Sequence, residues 1–121
     1  MNKYTIYCTP SQAKKALELG APIQKASIKD IRLERYVYIG DELFTFPTAE
    51  EMAGWLEERG VYVETKVNQR TDGVTNFVYN VICGSYSSLN NEVIFFDTRK
   101  EAILAAIDAA LEYLVNSDLI K

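Results

Sequence analysis

From Lys3 to Cys8 the chain alternates and is rich in β-forming residues, the pattern of a half-buried strand. It runs straight into Thr9-Pro10-Ser11-Gln12, where Thr9 can cap a helix, Pro10 suits the first helical position and Gln12 can close a capping box. A helix is therefore predicted from about Pro10 to Leu19, with Gly20 as its stop. The stretch Ala21 to Asp30 has no clean period, and Pro22 argues against continuing the helix, so it reads as loop. β-Branched and aromatic residues fill Leu33–Ile39 and Glu42–Phe46 on either side of Gly40-Asp41, a two-residue hairpin signal. Thr48 and Glu51 then stand in capping-box register for a second helix that Gly60 ends, with Ala49, Met52, Ala53, Trp55 and Leu56 on its apolar face. Val61, Val63, Thr65 and Val67 alternate with Tyr62, Glu64, Lys66 and Asn68, a strand with one face buried. After a turn at Asp72-Gly73, Thr75–Cys83 returns as a strand, Gly84–Asn91 reads as loop, and Glu92–Phe96 as a fifth strand. Asp97 and Thr98, with Glu101, start a last helix that reaches about Val115, beyond which the end should fray.

The predicted order is β-α-ββ-α-βββ-α, with no repeat, low-complexity segment or linker. Hairpins set between separated helices favour an antiparallel sheet with three helices over a doubly wound parallel sheet. The expectation is one α+β domain over residues 1–121.

Two departures from an ordinary amphipathic pattern stand out. Gly54 interrupts the second helix, where glycine costs about 1 kcal/mol relative to alanine. It lies opposite Met52 and Leu56, so packing on the sheet does not require it, and a partner backbone approaching the outer face would explain it; the plainer reading is a tolerated surface glycine. The last helix is apolar over a wide arc. Ile103, Ala106, Ile107, Ala110 and Leu114 form its stripe, and Leu104, Leu111 and Val115 add a flank that needs a second contact. A neighbouring helix or a second subunit could supply that contact. Gly54, Leu104, Leu111 and Val115 are thus the interface candidates.

Composition adds boundaries. With 48% hydrophobic and 25% charged residues in 121, the chain can hold a core without disulfides or metals. A net charge of −4 has the wrong sign for phosphate-backbone binding, so a nucleic-acid partner is not favoured, although Tyr36, Tyr38, Tyr62 and Tyr79 could stack on bases if exposed. The N-terminus does not read as a signal peptide, and no run approaches membrane-spanning length; a cytoplasmic protein without membrane contact is expected. Cys8 and Cys83 fit that setting as reduced, packed thiols.

The chemistry available is narrow. Without histidine the chain lacks the commonest general base, the usual partner of a serine or cysteine nucleophile, and the commonest metal ligand. No metal-finger cysteine spacing, GxGxxG or GxxxxGK[ST] occurs, so no metal, cofactor or catalytic residue is assigned. Thr98, Arg99 and Lys100 place cations at the positive end of a helix dipole and form an anion-binding candidate, against the plainer reading that Asp97 and Glu101 balance them in solvent.

The phrases Ala16-Leu17-Glu18-Leu19-Gly20-Ala21-Pro22-Ile23, Pro47-Thr48-Ala49-Glu50-Glu51-Met52 with Trp55-Leu56, and Arg99-Lys100-Glu101-Ala102 with Ala105-Ala106-Ile107 resemble a group of short uncharacterised proteins from gut-commensal bacteria and their phages or mobile elements. The resemblance covers helix starts and apolar faces, and implies no activity, cofactor or catalytic residue. The leading expectation is a non-enzymatic accessory protein that binds another protein or itself. The alternatives are a small-ligand or enzymatic domain for an anionic metabolite at Thr98, Arg99 and Lys100, and a nucleic-acid-binding module.

Overall fold

The computed structural model describes residues 5–83, 87–88 and 94–120, with side chains as far as residue 116. The class is α+β, built from four helices and two small antiparallel sheets among the described residues. Helix α1 spans Pro10–Glu18, α2 Ile28–Arg32, α3 Ala49–Glu58 and α4 Arg99–Ile120. Strands β1 (Tyr36–Ile39) and β2 (Glu42–Thr45) form a hairpin, and β3 (Val61–Gln69), β4 (Thr75–Cys83) and β5 (Ser87–Ser88) form the second sheet in that order.

Local capping chemistry starts the helices. Thr9 and Gln12 close a reciprocal box on α1, and Thr48 and Glu51 close one on α3. A third box, Ser27 with Asp30, starts α2 inside the stretch read from sequence as loop. The five-residue helix ends at Arg32, and Glu34 just beyond its cap has a φ of 57°, the left-handed conformation usually left to glycine. This helix delays β1, which begins at Tyr36 instead of Leu33.

Other expectations are also revised. The first predicted strand is reduced, among the described residues, to a single bridge between Tyr7 and Thr48; residues 1–4 lie outside them. Of the predicted fifth strand, residues 92 and 93 lie outside the description, and Phe96 makes one bridge to Phe77 with two 2.8 Å backbone bonds. Ser87–Ser88, expected as loop, pairs with Ile82–Cys83. One sheet is replaced by two, because the β1–β2 hairpin pairs along its outer side with residues 24–26 and not with β3. Helix α4 continues to Ile120, since no glycine or proline interrupts it after Val115.

The core lies between α4 and the β3–β4 hairpin. Met52 and Leu56 of α3, Val61, Val81 and Cys83 of the sheet, and Ala106, Ile107, Ala110 and Leu111 of α4 are all nearly or fully buried. Helix α4 packs on β3 and β4 and also touches α3 and α1. Three-sided contact explains its wide apolar arc: Glu101, Asp108 and Glu112 are exposed, and Leu111 is fully buried. Gln12 joins α1 to α4, its Oε1 accepting from Thr9 N at 3.0 Å and its Nε2 donating to Leu104 O at 2.8 Å and Asp108 Oδ1 at 2.9 Å. At 0% exposure it is a buried polar group with both ends satisfied.

Candidate functional site

A concavity of about 610 Å³ lies beside α3. One wall is the segment Ala21–Gln24 and the other is the outer face of α3, where Glu51, Gly54, Trp55 and Glu58 line it. The first wall is held by backbone pairing: Thr45 N donates to Gln24 O at 2.9 Å and Ala26 N to Leu43 O at 3.0 Å. A clamp fixes its distance from α3. Arg59 lies with its guanidinium carbon 5.1 Å from the centre of the Trp55 ring and donates from Nη2 to Leu19 O at 3.2 Å. Gly20 allows that approach, with a φ of 96° and a position where a Cβ would stand 3.3 Å from Arg59 Nη2.

Gly54 has a different environment. A Cβ built on it meets nothing within 4 Å, so internal packing does not require the glycine, which lines the groove. The end of the groove carries charge. Asp30 is tied to Ser27 through its backbone N–H (2.9 Å) and hydroxyl (2.8 Å), and these bonds hold its carboxyl below the usual range, with help from the Arg35 and Lys29 charges. Arg35 packs over the Tyr7 ring at 4.8 Å, and its Nε, 3.9 Å from Asp30 Oδ1, is buried without a hydrogen bond.

The sequence-derived candidates are dispersed. Gly54 lines the groove. Leu104 and Val115 are half-buried, while Leu111 sits inside the chain's own core and presents no surface to a second subunit; the neighbouring elements supply its contact. Thr98, Arg99 and Lys100 are all exposed. Thr98 Oγ1 accepts from Glu101 N and donates to Glu101 Oε1, both at 3.1 Å, which sets the chain's own carboxylate at that helix start. Arg99 turns to the Phe77 ring, 5.7 Å away, beside a second hollow that also contains Glu50 and is lined by no tyrosine among the described residues. Arg35 and Gln12's tertiary role were not singled out from sequence.

Cys8 is nearly fully buried, and its Sγ–H donates to Thr48 O at 3.7 Å. Burial, followed by the Glu51 and Asp108 charges, pushes its thiol up to about 12, so it is protonated at neutral pH and a poor nucleophile. Cys83 is also buried and free. Among the described residues no three carboxylate, cysteine or histidine groups are placed to hold a metal, and no helix is long and apolar enough to cross a membrane. No family model, curated protein or solved structure matches the chain.

Proposed function

We propose that this is a non-enzymatic binding protein whose groove beside α3 takes an extended segment of a partner protein. Gly54 carries the reading. It accepts a helix penalty of about 1 kcal/mol that no internal contact requires, at a position of α3 that lines the groove. The charges specify the guest: the Arg35 guanidinium at the groove's lining favours a carbonyl or carboxylate oxygen, and Glu51 and Glu58 on the α3 wall favour a basic side chain.

The test is a display library of random short peptides selected on the native protein, followed by affinity measurement against variants. Enriched peptides should carry lysine or arginine and lose at least about tenfold in affinity on Gly54→Leu, which fills the groove from a helix-compatible position, and on Arg35→Met. Peptides that bind native and Gly54→Leu proteins equally would refute the groove as the recognition surface.

A further inference from the structure

The outer edge of β3 is the longest free backbone edge in the described structure. All nine residues of β3 pair with β4 in unbroken register, from Val61 opposite Cys83 to Gln69 opposite Thr75. The strand stands at the end of its sheet, and no described residue hydrogen-bonds to its other side. Such an edge presents N–H and C=O groups ready to pair with another strand, and natural edges of this length are usually interrupted by a proline, a bulge or a covering element. β3 has no proline and no bulge, and no strand among the described residues covers it. It has charge instead: Glu64 and Lys66 lie on one face, 3.5 Å apart, both substantially exposed.

We infer that β3 pairs antiparallel with β3 of a second copy of this chain, about a two-fold axis at Thr65. Side chains facing each other across an antiparallel ladder share a face, so this register sets Glu64 opposite Lys66 of the second copy and Lys66 opposite its Glu64. It also sets Val67, which is 55% exposed in the single chain, beside Val63 of the second copy, which packs against its core. The neighbouring in-face registers are disfavoured by the same charges. Moving the axis to Glu64 opposes two glutamates, moving it to Lys66 opposes two lysines, and a one-residue slip turns the apolar face outward. The sequence Val63-Glu64-Thr65-Lys66-Val67 is therefore self-complementary in one register only. The ladder continues the β3–β4 sheet across the axis, and its helices remain on one face because the axis is perpendicular to the sheet.

The experiment is light scattering coupled to size exclusion on the full chain over a concentration series, with thermal melts confirming that each variant is folded. The native protein should approach twice its 13.7 kDa chain mass as concentration rises. Glu64→Lys and Lys66→Glu each turn two attractive pairs into repulsive ones and should each weaken association by about tenfold or more. The double exchange Glu64→Lys/Lys66→Glu restores opposite charges across the axis and should recover the native dimer. A native chain that stays monomeric at every concentration, a dimer unaffected by the single substitutions, or a double exchange that fails to recover association would each overturn the proposal. The peptide-binding variants at Gly54 and Arg35 leave β3 untouched, so failure of the groove reading and failure of the strand pairing are separately visible.

Discussion

Helices α3 and α4 show two ways in which a helix can depart from the ordinary amphipathic pattern. Helix α4 carries more apolar surface than one sheet can cover, and the excess is absorbed by α1, α3 and the sheet together. Helix α3 carries a defect instead of an excess, and nothing inside the molecule absorbs it: the space around Gly54 is open. An unusual residue with an internal partner is accounted for by stability. One without such a partner directs attention outward, and here the outward direction is a groove that Arg35 also lines.

That contrast can be broken most forcefully at Leu111. Leu111→Ala should cost about 2–5 kcal/mol in denaturant unfolding, because a fully buried leucine leaves a cavity, whereas Leu104→Ala, half-buried, should cost clearly less. Equal small losses at both positions would return the flank to the surface.

An intermediate effect comes from Cys8, which packs under the start of α3. Its folded pKa of about 12 lies above the value of 9.0 for a free thiol, so the folded state holds the proton more tightly. Its contribution is complete below about pH 9 and is lost as pH rises from there toward 12. Alkaline melts should show a fall in stability over that window that Cys8→Ala flattens, and a thiol reagent at pH 8 should modify Cys8 only after unfolding.

The smallest effect sharpens the comparison most. Gly54→Ala should raise stability by up to about 1 kcal/mol through helix propensity, with no clash to offset the gain. A stabilised protein with weakened peptide binding would separate the two demands on α3. A destabilised one would mean that Gly54 serves the fold after all.

Helix starts were largely legible in the sequence because capping is chemistry within four residues. Thr9 with Gln12 and Thr48 with Glu51 close their boxes as the spacing predicts. Ser27 with Asp30 obeys the same rule and was passed over, since the residues after it offer no amphipathic stripe: Ile28, Ile31 and Leu33 are all exposed. The outward direction of Gly54 was legible from helical geometry alone. The groove was not, because its second wall comes from the aperiodic segment Ala21–Gln24, placed by pairing with residues twenty positions onward. Arg35 gave no local signal, for its place in the groove depends on contacts with Tyr7 and Asp30 that only the fold brings to it. The flank of α4 was visible as a need for contact, but only the fold could assign Leu111 to the interior.

Gln12 has a consequence for the order of events in synthesis. Its amide nitrogen is satisfied by Leu104 and Asp108, 92 and 96 positions further along the chain. At the roughly 5–20 residues per second of translation, α1 waits on the order of 5–20 s before the surface that completes it has been made. During that interval α1, whose Ala13 and Ala16 are fully buried in the finished molecule, lacks the α4 surface it packs against. The protein therefore cannot complete α1 from its beginning: a ribosome stalled before Leu104 would hold a chain whose first helix lacks its α4 partner.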